Sequence, residues 1–190
     1  MFNKISILGA TVMALAGAAQ AAPVTNTLTP GFSFQQYSGT AAVGSGQVNT
    51  ASALWFIDER VADGLKSWYV FFDPQGSQAI VATLTFDRPI IDVLTTRAEL
   101  ATSHFKYSVD VDSDGLFDDY TYPVATGLED GQDTVTWSPG SNTLSLRWTA
   151  SNPGDHIRVL TAAVPEPASW ALAVIALAGL VGTQRRRHRG

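Results

Sequence analysis

Residues 68–94 read WYVFFDPQGSQAIVATLTFDRPIIDVL, and this stretch decides the fold class. Three apolar runs are separated by Asp73-Pro74-Gln75-Gly76 and by Asp87-Arg88-Pro89. Proline and glycine at those points interrupt regular structure and favour turns. In the middle run Ile80, Ala82, Leu84 and Phe86 share one face, while Val81, Thr83 and Thr85 share the other. That period of two marks a strand with one buried face. Trp68–Phe72 is a short continuous apolar run, and Ile90–Leu94 is rich in β-branched residues. Both are too short for a core helix and have strand-forming side chains.

The same pattern extends in both directions. Phe32 and Phe34 alternate with polar neighbours, and Leu54–Ile57 is another short apolar run. Phe105–Val111, Tyr120–Val124, Thr134–Trp137, Thr143–Trp148 and His156–Thr161 complete the strand candidates, with a turn at Ser138-Pro139-Gly140-Ser141-Asn142. Many short strands between turn residues predict an all-β domain, an antiparallel β-sandwich or jelly roll. One short helix is expected at Thr96–Ala101, where Thr96 and Glu99 have capping-box spacing. Thr40–Thr50 is small and polar, and reads as a loop or weak edge strand.

The 190-residue chain has a net charge of −5, but its charges are unevenly placed. Lys4 precedes an apolar run from Ile5 to Ala19, followed by Ala19-Gln20-Ala21. A basic start, a short apolar core and small residues before the cleavage point predict a signal peptide over residues 1–21, removed by signal peptidase. At the other end, Val164-Pro165-Glu166-Pro167 precedes an uncharged run, which predicts an apolar transmembrane helix over about residues 168–183. Arg185, Arg186, Arg187 and Arg189 follow as a basic stop that holds its end in the cytoplasm. The expected domains are therefore 1–21, 22–163 and 164–190. Seven of the 12 basic residues and 16 of the 17 acidic ones lie in 22–163, so the domain is near −9. Such a balance disfavours nucleic acid, which is bound through basic contacts to phosphate.

The Pro165-Glu166-Pro167 motif, apolar run and arginine cluster together resemble the PEP-CTERM protein-sorting tail, a tail also named after ice-binding proteins that carry it. The resemblance implies a Gram-negative host. It also implies processing by an exosortase, a membrane cysteine protease-transpeptidase that cuts near the Pro-Glu-Pro motif. It further implies an inner-membrane-anchored precursor that passes to the cell envelope, the surface or the extracellular matrix. Within the stretch from Trp55 to Leu100, residues 68–100 are similar to segments of uncharacterised exported PEP-CTERM proteins. That likeness strengthens the β fold and implies no activity.

One constellation carries chemistry. Residues 110–121 read DVDSDGLFDDYT. Asp110, Asp112, Asp114, Leu116 and Asp118 fall at positions 1, 3, 5, 7 and 9 of a pattern that resembles an EF-hand calcium loop, with Gly115 at position 6. Alternate residues of a tight loop point inward, the glycine permits the sharp turn, and the carbonyl at position 7 adds an oxygen. Thr121 stands where the bidentate glutamate belongs, and Asp119 or a distant acid is needed to complete the shell. The flanks, His104–Val109 and Tyr120–Val124, read as strands. The expected cofactor is calcium, bound weakly at about 10⁻⁴–10⁻³ M as in extracellular modules.

Catalytic signals are sparse. The chain has no cysteine and three histidines, one of them in the basic tail. Zinc ligation and thiol chemistry are therefore disfavoured. His104 and His156 read as ordinary residues at strand starts. Asp58-Glu59 offers one carboxylate of a glycoside hydrolase pair, but reads better as a surface strand end. Aromatic residues read chiefly as core, with Tyr120 and Tyr122 the pair to consider for a glycan contact on one strand face. The expected function is a non-catalytic exported protein of the cell envelope or extracellular matrix with a calcium-stabilised β domain. The alternative is a carbohydrate-binding module for extracellular polysaccharide, and a hydrolase ranks third.

Overall fold

A computed structural model describes residues 20–128, 131 and 133–164. The expected signal helix and C-terminal transmembrane helix lie outside these residues. Gln20–Val164 form one compact unit.

Two sheets face each other. The first has the order β1-β5-β8-β7, from Val24–Leu28, Gln78–Thr85, Thr143–Ala150 and Thr134–Trp137. The second has the order β2-β3-β4-β9-β6, from Ser33–Gln36, Ala53–Ala62, Leu65–Phe72, Asp155–Ala162 and Ile90–Leu94. All pairings are antiparallel except β2 with β3. The alternation read in β5 holds: Ile80, Ala82 and Leu84 are fully buried, and Val81 faces solvent. They meet Leu54, Trp68, Val70, Phe72, Ile157 and Val159 of the second sheet across the main core.

The central strands β4 and β9 of the second sheet are buried on both faces, which explains why Trp68–Phe72 of β4 reads as an unbroken apolar run. The sheet's outer face carries a smaller core of Ile57, Tyr69 and Phe71, packed with Tyr37, Val43, Leu100 and Tyr120. The cover consists of α1 at Arg97–Tyr107, the loop that follows it, and the segment between β2 and β3 that carries Tyr37, Val43 and Val48. Thr96 caps α1 through a complete capping box: the Glu99 amide donates to Thr96 Oγ1, and the Thr96 amide donates to Glu99 Oε2 at 3.0 Å. The predicted cap is therefore correct, but the helix runs to Tyr107 and replaces the strand expected at Phe105–Val111. Leu100, His104 and Tyr107 form its buried stripe at i, i+4 and i+7. The strand expected at Tyr120–Val124 is also absent, leaving only one parallel bridge from Tyr120 to Val43. β1 was not expected, since VTNTL is an edge strand with little buried surface.

The turn into β9 depends on Gly154, at φ +93°. A Cβ there would lie 2.4 Å from the Phe72 carbonyl and 2.8 Å from the Asp73 Cα. Gly154→Ala combines left-handed strain with a backbone clash, and is expected to cost about 3 kcal/mol or more in urea unfolding.

Candidate functional site

The acidic loop leaves the end of α1 and returns along the β3 side of the second sheet. Asp110, Asp112 and Asp119 each bring one carboxylate oxygen within 4.8 Å of the others. Local amide bonds place them. The amides of Asp114 and Gly115 donate to Asp110 Oδ1 and Oδ2 at 3.2 and 2.8 Å, and the Val111 amide donates to Asp119 Oδ2 at 2.7 Å. The loop turns through Ser113 and Gly115, both at positive φ. Asp119 is buried, while Asp110 and Asp112 are half-buried. Burial pushes the Asp119 carboxyl above its ordinary value. The Val111 amide opposes this, and the charges of Asp112, Asp110 and Asp114 add to it.

The set differs from the linear pattern. Asp114 is exposed and its Oδ1 accepts the Leu116 amide at 2.8 Å, so it stabilises its own turn. Asp118 and Leu116 are also exposed, and Asp118 is outside the cluster. Asp119 takes the inward place because its backbone is pinned to the body: the Val43 amide donates to the Asp119 carbonyl at 2.7 Å. A count along an isolated loop carries no information about that anchor.

The other candidates occupy different surroundings from those expected. Glu59 is buried rather than at a surface strand end. It pairs with the fully buried Arg158 through Arg158 Nε to Oε2 at 2.7 Å and Nη2 to Oε1 at 2.8 Å. Ser67 Oγ also donates to Glu59, and Arg158 Nη1 donates to the Leu100 carbonyl at 3.0 Å and to Ser103 Oγ. Burial works against the guanidinium charge, but the facing Glu59 carboxylate outweighs it and raises Arg158 above its ordinary value. No sequence pattern marks this pair, because its members are 99 positions apart. Asp58 points outward to Lys66.

His104 is buried in α1 rather than at a strand start, with Nδ1 3.0 Å from Tyr122 Oη. Burial, followed by the Arg158 charge, holds it below its ordinary value. Tyr120 and Tyr122 both pack edge-on against that ring. Tyr120 is buried, so this pair presents no open aromatic platform to a glycan. Trp68 and Trp148 are likewise inside the main core. His156 is fully buried, stacked on Phe71 with ring centroids 5.6 Å apart.

The described part of the chain is thus a two-sheet β domain with an acidic loop on its helix-covered face. Residues 163–187 match the PEP-CTERM protein-sorting motif. This motif implies an exported, membrane-anchored precursor of a Gram-negative bacterium, processed by an exosortase-type membrane enzyme. Pro165, Glu166, Pro167 and the terminal arginines lie outside the described residues. Comparison with curated proteins gives no match, and neither does comparison with solved structures.

Proposed function

We propose that the protein is a non-catalytic component of the cell envelope or extracellular matrix, delivered by its sorting tail, with a β domain stabilised by calcium at Asp110, Asp112 and Asp119. The convergence of those three carboxylates carries the reading. Calcium binds oxygen ligands at about 2.3–2.6 Å, so two oxygens on one ion are at most about 5 Å apart. Three oxygens spread evenly around one ion lie at most about 4.5 Å apart, so carboxylates within 4.8 Å of one another need to close by only a few tenths of an ångström. The donors are hard anionic oxygens, which suit calcium better than softer transition metals. Burial chiefly raises Asp119, and a cation would relieve the carboxylate repulsion that adds to it. The non-catalytic part of the reading is supported by Glu59, whose carboxylate is occupied by Arg158 and Ser67 and has no access to solvent.

Thermal or urea unfolding in calcium and in chelator tests this reading. With affinity in the range of extracellular modules, about 10 mM calcium stabilises the fold by about 1.4–2.7 kcal/mol. Asp119→Asn retains an acceptor for the Val111 amide but removes the buried charge, and is expected to abolish the calcium response. Equal stability in calcium and chelator for the unsubstituted protein would overturn the proposal.

A further inference from the structure

The chain leaves the sandwich toward its sorting tail at the end marked by the β3–β4 turn. The Ala163 amide donates to the Gly64 carbonyl and the Ala162 amide to the Pro89 carbonyl, each at 3.0 Å. β1 begins at this end too, with Val24 opposite Thr85. From Ala162 to the start of the apolar run at Ala168 is about six residues, a reach of at most about 21 Å. In an anchored precursor this end of the domain therefore stays close to the bilayer.

The same end displays large apolar side chains from three separate segments. Phe105 is 87% exposed, and Val61, Leu116 and Phe117 are each more than half exposed. Their location follows from contacts to the turn. Lys106, next to Phe105, pairs with Asp63 at 2.6 Å. Arg60 stacks over Phe117 at 5.0 Å and donates Nε to the Ser108 carbonyl. Apolar residues scattered singly over a surface need no explanation, but a group gathered at one end does. Phenylalanine and leucine suit the headgroup–acyl boundary. Arg60 lies beside them, while Lys106 is paired with Asp63 and the flanking Asp114 and Asp118 are acidic, so the apolar side chains and not the charge carry the contact.

We propose that Val61, Phe105, Leu116 and Phe117 form a membrane-facing surface that rests in the interfacial zone of the bilayer holding the tail. This rests on the reading of the chain as an anchored precursor. The absence of cysteine makes the test direct. Phe105→Cys, Phe117→Cys and, on the opposite sheet, Val81→Cys are exposed positions that accept a nitroxide label without disturbing a core. The full chain is reconstituted in phosphatidylethanolamine–phosphatidylglycerol vesicles. Flotation reports anchoring, and collisions with oxygen and with a water-soluble nickel chelate report label depth. Labels at 105 and 117 are expected to show several-fold lower nickel accessibility and higher oxygen accessibility than the label at 81. Equal nickel accessibility at all three positions in a floating chain would overturn the surface and leave the anchor standing. Labels at 105 and 117 shielded from both reagents would overturn it in favour of contact with a second copy. A chain that fails to float would overturn the anchored reading and the surface together.

Discussion

Arg158→Met is expected to destabilise the protein by about 3–5 kcal/mol, because it leaves the Glu59 carboxylate charged, buried and without its bidentate partner. The loss extends beyond the pair. Arg158 Nη1 donates to the Leu100 carbonyl and to Ser103, so it also holds α1 to the sheet. Amide hydrogen exchange in Arg97–Tyr107 is therefore expected to accelerate more than exchange in β5 or β8. The double variant Glu59→Leu/Arg158→Met removes both charges and is expected to recover most of the stability, since apolar replacement of a buried pair is often close to neutral. Full recovery is not expected, because Leu100 and Ser103 still lose their donor. The four urea-unfolding energies form a double-mutant cycle with a strongly non-additive result. An Arg158→Met variant no less stable than the double would show that the unpaired Glu59 carboxylate carries no such cost.

The second large effect concerns acid. Asp73 and His156 are both buried near the Phe72–Gly154 end of the second sheet. Burial pushes the Asp73 carboxyl up to about 6, against the pull of the Val48 and Asn49 amides. Burial pushes the His156 ring down to about 4, against the pull of the Pro153 carbonyl that its Nε2 meets at 3.0 Å. The signs are opposite. Between pH 3.8 and about 6 the folded state holds the Asp73 proton more tightly than the unfolded state, so this residue lowers stability as pH rises. Between about 4 and 6.5 the unfolded state holds the His156 proton more tightly, so this residue lowers stability as pH falls. Across pH 4–6 the two contributions largely cancel.

Asp73→Asn removes one side of that balance. Relative to the unsubstituted protein, its stability is expected to fall on acidification from pH 6 to 4, at a slope approaching about 1.4 kcal/mol per pH unit. His156→Gln is expected to show the reverse relative slope over the same interval. Urea unfolding at half-unit steps from pH 4 to 7 measures both. The comparison with the unsubstituted protein removes the contributions of Glu99 and Asp119, which are common to all three. Parallel profiles would show that neither group titrates as its burial implies.

Much of the first sheet was legible because its strands have one wet face. Ile80, Ala82 and Leu84 alternate with solvent-facing residues, and the Ser138–Asn142 turn separates β7 from β8 in the sequence as it does in space. The far half of α1 was not legible, because its buried stripe contains His104 while Phe105 is exposed. A pattern of apolar and polar types inverts the faces there. The helix cap was readable because capping is local, involving residues three apart.

The acidic loop shows the same division. Its composition and glycine were evident from residues 110–121, but the converging set replaces Asp114 and Asp118 with Asp119. That choice depends on a backbone bond from Val43, 76 positions earlier in the chain. The sequence by itself determined the sorting tail, the class of the fold and the presence of an acidic turn, because each is written in contiguous residues with a local physical effect. Only the tertiary structure decided which carboxylates meet, that Glu59 is sealed against Arg158, and which apolar residues gather where the tail departs. Those features join segments far apart in the chain, and it is sheet pairing and packing that bring such segments together.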